Sequence, residues 1–259
     1  MTLGLGSIPL GGGIANTDWT PAVELNVLAW YYALAATCWN SGNPASDGET
    51  VDEWHDLSAQ NSDVEHGALS DPTLRTSGWA SGVPAVEFTA ANQGLSSSTT
   101  AVALHLSGTN TPFSAMFAVQ VDAFAATQGL FAVFDSASDA CVLFEILTSK
   151  KLRFTLIDGS GAAALQTGVM SLVVGHNRIG FAHTGTHLTT WVNGAKDIDN
   201  VACAVAGLHT FDGTAIGTSD IAAANTLDGM IQEALFVNFA CNDGYYQRWR
   251  AYSIQNHGY

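Results

Sequence analysis

Positive charge is scarce in this sequence. It has 8 Lys and Arg residues against 23 Asp and Glu residues, which gives a formal net charge of −15. Between Asp47 and Asp71 there are eight acidic residues and no Lys or Arg. Proteins that bind nucleic acids contact phosphate groups with clustered Lys and Arg. We therefore expect no nucleic-acid partner and attribute most of the acidity to solubility.

Cysteine is also scarce, and long apolar runs are absent. The four cysteines lie far apart, without Cys-x-x-Cys spacing, which predicts neither a zinc site nor a disulfide framework. Three of them have apolar neighbours and are expected in the core. The first residues lack the basic and apolar segments of a signal peptide. No apolar run is long enough to cross a membrane. We expect no signal peptide, no membrane partner and synthesis in a reducing compartment.

Glycine, in contrast, is abundant, with 26 residues, and five of them fall in residues 1–18. Such a segment buries little and should be flexible by itself. An alternative is an arm that orders against a neighbouring subunit. We predict two parts: a Gly-rich N-terminal arm at 1–18 and one β domain at 19–259, a length that all-β domains often use.

The rest of the chain predicts many short strands, because charge is low and Thr, Val, Ala and Gly are frequent. Residues 23–37 fit a strand or a helix, and we favour a strand at Val27–Tyr32. Thr148-Ser149-Lys150 and Asn193-Gly194 are typical of hairpin turns. Other strands are predicted at 82–88, 113–121, 129–134, 141–147, 151–157, 169–174, 178–183, 187–192 and 211–217.

The last strand and the helix after it form the most distinctive stretch. From Gly229 onward both alternating sets of residues are largely apolar, which predicts a strand covered on both faces. Asn242 is a suitable helix N-cap. Tyr245, Trp249 and Tyr252 follow at helical spacing, so a short C-terminal helix should pack through an aromatic stripe.

Several segments occur in the order of one known fold family. They are Leu28-Ala-Trp30, Val51-Asp-Glu-Trp54-His-Asp56-Leu-Ser58, Gly82-Val-Pro-Ala-Val-Glu-Phe88, Gly94-Leu95, His187-Leu-Thr-Thr-Trp-Val-Asn-Gly194 and Leu227-Asp-Gly-Met-Ile-Gln-Glu-Ala-Leu-Phe-Val237. Together they resemble concanavalin A-like, laminin-G-like jelly rolls over roughly residues 25–258. The resemblance implies an all-β jelly-roll sandwich of two antiparallel sheets with a short C-terminal helix, and a core position for Trp54. Ala59-Gln-Asn61 replaces the family's Gly-Asn-Gly turn.

Catalytic carboxylates of the kind found on this fold are not evident. The endoglucanase-type members carry Glu-x-Asp-x-Glu on one strand, and this sequence has none. Glu145 and Glu233 each lack an acidic neighbour two residues away, and we expect Glu233 to bond nearby backbone. We therefore expect no enzyme activity, with a glycoside hydrolase as the least favoured function.

Metal-binding patterns are weak. His183 and His187 flank a Gly-centred turn without a third ligand, so they are expected to be ordinary strand-end residues. Laminin-G-like domains often hold one calcium ion, which the resemblance makes an option here. The oxygen-rich loops offer weak candidate ligands, although solvated turns fit them better. These candidates are Asp135, Asp139, Asp197 and Asp199.

Two loop tryptophans, Trp39 and Trp79, are candidates for stacking on sugar rings. The Gly-rich start before such a domain is also similar to open reading frames among bacteriophage structural genes. The favoured function is a non-enzymatic structural protein on a bacteriophage head or tail. It would be a homo-oligomer within the virion, assembled in the host cytoplasm with other virion proteins as partners. The alternative is a carbohydrate-binding module for host-surface or environmental glycans.

Overall fold

The computed structural model describes residues 19–21, 24, 26–65, 70–80, 82–89, 93–98, 100–107, 111–135, 141–206, 210–219 and 225–258. The arm predicted at 1–18 and Asp139 lie outside these residues. The elements in chain order are β1 (Val27–Tyr32), β2 (Cys38–Asn40), β3 (Asn43–Pro44), β4 (Glu53–Trp54), β5 (Val64–Glu65), β6 (Thr73–Ala80), β7 (Val83–Phe88), β8 (Leu95–Ser98), α1 (Ala101–Leu106), β9 (Phe113–Val121), β10 (Gln128–Phe134), β11 (Cys141–Ile146), β12 (Leu152–Ile157), β13 (Ala163–Thr167), β14 (Gly175–His183), β15 (His187–Val192), β16 (Ala195–Ala202), β17 (Gly213–Ile216), β18 (Gly229–Val237) and α2 (Asp243–His257).

The strands form two antiparallel sheets, which confirms the predicted sandwich. Sheet A has the order β16-β15-β14-β9-β18-β7-β6, with β1 also paired to β18. Sheet B has the order β13-β12-β11-β10-β17-β8-β5-β4-β2-β3. A large apolar cluster fills the space between the sheets and includes Phe117, Phe131 and Phe236. Trp54 is fully buried in it, as the resemblance implied.

Strand β18 lies at the centre of sheet A. One edge pairs with β9 along the whole strand, while the other edge pairs first with β7 and then with β1. Gly229 begins the strand because a Cβ atom there would lie 2.0 Å from the carbonyl oxygen of Gln120. Ala234 and Phe236 contact the core between the sheets, whereas Leu235 and Val237 contact a second cluster on the opposite face. The strand is therefore covered on both faces, as predicted.

Helix α2 packs on the outer face of sheet A. The side chain of Asn242 accepts a hydrogen bond from the Tyr245 backbone N–H at 2.9 Å, which is the predicted N-cap. Tyr245, Trp249 and Tyr252 are buried in the second cluster against Trp30 and other residues of sheet A. The helix therefore covers the part of the outer face of sheet A that carries this second cluster.

Most of the predicted strands are present, and the turn at Asn193-Gly194 has the expected positive φ values of 50° and 95°. The strand predicted at 169–174 is wrong. Val169, Val173 and Val174 are 71%, 52% and 62% exposed, and the segment connects the two sheets without forming a strand. The sequence pattern also missed β2 to β6, β8, β13 and α1, and the loop predicted around Asp197 and Asp199 is wrong, because both residues lie in strand β16.

Cys38, Cys203 and Cys241 are buried thiols, which agrees with the prediction that three of the cysteines lie in the core. Burial raises the pKa of Cys38 to about 12 and that of Cys241 to about 11. No helix in the described part of the chain is both long and apolar enough to cross a membrane.

Candidate functional site

The outer face of sheet B is the broad sheet surface that α2 does not cover. Nine residues on nine strands lie directly opposite one another in the register of this sheet. Residues directly opposite in a sheet point to the same face, and the alternate residues of these strands fill the core. The row therefore lies on the outer face. In order, it is Trp39, Glu53, Glu65, Ser96, Ala215, Ala132, Leu143, Thr155 and Leu165.

Apart from Leu143, which is partly exposed, only the two ends of this row are accessible. Ala215 and Ala132 in its middle have 0% exposure, and Thr155 has 6%. At one end Trp39, Glu53 and Ser96 are partly exposed and Glu65 is exposed. We call the surface formed by Trp39, Glu53, Glu65 and Ser96 the tryptophan end.

The Trp39 ring is held in place by two contacts. Its indole N–H donates to the carbonyl oxygen of Ala36 at 3.1 Å. The His55 ring packs edge-on against it, with ring centroids 4.6 Å apart and an interplanar angle of 75°. A fixed, partly exposed indole is a suitable platform for the apolar face of a sugar ring, because little rotamer freedom remains to be lost on binding.

Acidic side chains surround this platform. His55 Nδ1 lies 3.0 Å from an oxygen of Asp63 and 3.7 Å from an oxygen of Glu53. Partial burial raises the pKa of Glu53; His55 opposes this shift, and the charges of Asp63, Glu65 and Asp52 reinforce it. The tryptophan end therefore holds several carboxylates close together, with one imidazole between two of them.

The loop behind the tryptophan end is braced by Asp56. Its two carboxylate oxygens accept hydrogen bonds from the backbone N–H groups of Trp30, Ser58 and Ser62 and from the Ser58 hydroxyl, at 2.6–2.9 Å. Its own backbone N–H donates to Asp63 at 2.7 Å. The Trp54-x-Asp56-x-Ser58 segment, which belongs to the motif shared with laminin-G-like domains, therefore has a structural role. Its hydrogen bonds hold His55 and Asp63 in position.

Among the described residues, Glu53, His55 and Asp63 are the one group of three or more His, Cys, Asp or Glu whose ligand atoms lie close enough, within 4.8 Å, to hold a metal ion. Two carboxylates and an imidazole suit a divalent cation of the first transition series better than calcium, which prefers oxygen ligands alone. Sequence patterns missed this group because Asp63 is placed by strand pairing.

The three predicted calcium ligands that the structure describes, Asp135, Asp197 and Asp199, do not form such a group. Asp197 accepts hydrogen bonds from the backbone N–H groups of Val169 and Met170 at 2.8 and 2.6 Å, so it fastens the connection between the sheets. Asp199 is 69% exposed and pairs with Lys196 at 2.9 Å. Asp135 is buried with 8% exposure at the end of β10.

Trp79 lies on sheet A, far from the tryptophan end. It is 2% exposed, and the His176 ring stacks on it at 4.2 Å with an interplanar angle of 11°. The Arg178 guanidinium lies 5.8 Å from its ring centroid. Its faces are therefore already covered, which leaves Trp39 as the candidate for stacking on a sugar ring.

The two histidines that flank Gly185 have structural contacts. His183 is fully buried, with Nε2 2.6 Å from the carbonyl oxygen of Cys203, and its Nδ1 accepts from the Gly185 N–H at 3.2 Å. Burial lowers the pKa of His183, so the neutral ring is favoured. His187 contacts the Thr186 hydroxyl at 2.9 Å. These contacts agree with the prediction that they are ordinary strand-end residues.

Glu145 and Glu233, the two glutamates considered as catalytic acids, are too far apart to act as a pair. Glu233 lies on the outer face of sheet A, where it contacts Trp30 and His257 at 2.8 and 3.0 Å. Glu145 lies on the outer face of sheet B and accepts a hydrogen bond from the guanidinium group of Arg153 at 2.8 Å. Sheets of a sandwich are ~10 Å apart, whereas retaining hydrolysis needs carboxylates ~5 Å apart.

Glu53 and Asp63 are close enough for such a pair, but both oxygens of Asp63 are already in use. One accepts from the Asp56 backbone N–H, and the other faces His55. A nucleophile needs a carboxylate oxygen that can reach the substrate. Asp63 is therefore engaged by protein groups and is not free to act as the nucleophile of such a pair.

The fold resembles those of solved sialidase-related proteins. The chain is similar to Trypanosoma rangeli sialidase in complex with sialic acid, with 12% identity, a TM-score of 0.61, and coverage of 94% of this chain and 35% of that one. It is also similar to the CBM40 domain of the Ruminococcus gnavus IT-sialidase bound to α2,3-sialyllactose, with 13% identity, a TM-score of 0.52, and coverage of 64% of this chain and 95% of that one.

These likenesses establish a lectin-like β-sandwich fold. The chain spans about a third of the length of the Trypanosoma rangeli sialidase chains that it matches. No protein-family model matches the sequence, and neither does a curated protein.

Proposed function

We propose that this chain is a non-catalytic carbohydrate-binding domain that holds a glycan at the tryptophan end of sheet B. The observation that carries the proposal is Trp39, a fixed and partly exposed indole beside hydrogen-bonding side chains of Glu53, Glu65 and Ser96. Sugar-binding sites combine an aromatic platform with a few oriented polar groups. The similar CBM40 domain, which was solved with α2,3-sialyllactose, supports a binding function on this fold.

The first test is a glycan array, followed by titration calorimetry on the strongest hit with Trp39→Ala and Trp39→Phe. We expect Trp39→Ala to weaken binding about 5-fold or more, because a stacked ring contributes about 1–3 kcal/mol. Trp39→Phe should retain part of the affinity, since it keeps a smaller ring.

Leu165→Ala is the matched control, because Leu165 is 50% exposed and lies at the other end of the same row. It should leave affinity unchanged. Circular dichroism checks that each variant is folded. Equal glycan affinity of Trp39→Ala and the wild-type protein would place the site elsewhere.

A place on a bacteriophage particle remains a separate prediction, supported by the Gly-rich residues 1–18 and compatible with glycan binding. Deleting residues 1–18 should leave the domain folded, as judged by circular dichroism, but abolish its incorporation into particles. Incorporation of the truncated chain at the wild-type level would rule out a docking role for the arm.

A further inference from the structure

The tryptophan end carries acidic side chains without a basic one. Trp39, Glu53 and Glu65 lie opposite one another on β2, β4 and β5. Asp52 and Asp63 are close enough to Glu53 to act on its charge. The first Lys or Arg of the chain is Arg75, so strands β1 to β5 contribute none. Among the residues that the structure describes at this end, His55 can become positive, and it already faces two carboxylates.

The Lys and Arg residues lie outside the strands that form the tryptophan end. Arg153 is the one Lys or Arg within the strands of sheet B, all of which the structure describes. It lies on β12, seven strands from β2, which is roughly 30 Å at the usual strand spacing. Its Nε and Nη2 atoms both lie 2.8 Å from Glu145, so its charge is already compensated.

A carboxylate is usually recognised by a guanidinium or an ammonium group. At the tryptophan end, the carboxylate of a sialic acid would instead meet Glu53 and Glu65. A sugar hydroxyl could donate hydrogen bonds to the same two side chains, and the ammonium group of an amino sugar would be attracted to them. The charge distribution therefore discriminates between sugars of the same size.

We propose that the tryptophan end selects uncharged or amino-bearing glycans and rejects glycans that carry a carboxylate or a sulfate. This inference rests on the proposed function. It separates this chain from the similar CBM40 domain, which was solved with a sialylated ligand.

The test compares matched pairs on one array: each neutral glycan, its sialylated form and its sulfated form, together with chitin and chitosan oligomers. EDTA is present, because a divalent ion held by Glu53, His55 and Asp63 would neutralise the surface. We expect binding to neutral or amino-bearing members, with each anionic counterpart at least ~10-fold weaker. The ratio of the affinity for a neutral glycan to that for its anionic counterpart should decrease as NaCl is raised from ~20 to ~500 mM, because salt screens exposed charges.

The outcomes separate the two proposals. Equal or tighter binding of the sialylated forms would overturn the selectivity and leave the carbohydrate-binding function intact. If no glycan binds, both are overturned.

A charge variant tests the cause. The double variant Glu53→Gln, Glu65→Gln should reduce the discrimination against sialylated glycans several-fold. Asp199→Asn, which removes an exposed charge on sheet A, is the matched control and should leave the ratio unchanged. If the double variant has the same ratio of neutral to sialylated affinity as the wild-type protein, these carboxylates do not cause the selectivity.

Discussion

At the residue scale, Glu233 shows how far a buried polar group depends on distant partners. It is fully buried on β18, where one oxygen accepts from the indole N–H of Trp30 at 2.8 Å and the other lies 3.0 Å from His257 Nε2. His257 Nδ1 in turn lies 3.2 Å from the Tyr32 hydroxyl. Burial, followed by the charge of Glu233, raises the pKa of Tyr32 to about 12. The expectation that Glu233 bonds nearby backbone was wrong, because side chains from β1 and α2 provide its partners.

We predict that Glu233→Ala lowers the free energy of unfolding by about 3 kcal/mol, because it leaves the Trp30 and His257 groups buried without their acceptor. Urea unfolding followed by fluorescence measures the change. Glu65→Ala is the control, because Glu65 is exposed, and it should cost less than about 0.5 kcal/mol. A loss below about 1 kcal/mol in Glu233→Ala would contradict the proposed importance of this network.

At the element scale, helix α2 covers part of one face of the molecule. Its aromatic stripe packs on Trp30, Trp191 and their neighbours, and the Trp191 and Tyr246 rings stack at 5.1 Å. Trp191 also donates to Asp243 in the first turn of the helix at 2.9 Å. This hydrogen bond, together with the nearby Lys196, lowers the pKa of Asp243 and favours a negative charge at the helix N-terminus.

We predict that Asn242→Ala lowers the free energy of unfolding by about 1 kcal/mol, because the Tyr245 N–H loses its side-chain acceptor. Thermal and urea unfolding measure this loss. The exposed Asn238, just before the helix, supplies the control Asn238→Ala, with an expected change below about 0.5 kcal/mol. Equal effects of the two substitutions would show that the cap does not stabilise the helix.

At the scale of the whole molecule, helix α2 covers part of the outer face of sheet A, and the tryptophan end of sheet B offers an accessible surface for a ligand. Four of the eight acidic residues in the segment 47–71 lie at or beside the tryptophan end, namely Asp52, Glu53, Asp63 and Glu65. Acidity that composition alone attributes to solubility therefore also influences which ligands can bind. Homo-oligomerisation and the virion location stay predictions at this scale.

The sequence by itself determined the fold class, the strand at Val27–Tyr32, the turn at Asn193-Gly194 and the capped C-terminal helix. These features depend on short-range signals: alternation, positive φ and side-chain capping. It could not determine β13 or the absence of a strand at 169–174, because pairing partners decide whether a short apolar segment becomes a strand.

Only the tertiary structure decided between the two loop tryptophans. Trp39 and Trp79 have equally polar neighbours in the sequence, yet Trp39 reaches the open face of sheet B and Trp79 is buried against His176. The same holds for Glu53, His55 and Asp63, which strand pairing and the Asp56 brace bring together. The physical reason is that a site on a sheet is assembled across strands, and the register between distant segments is set by the core that they share.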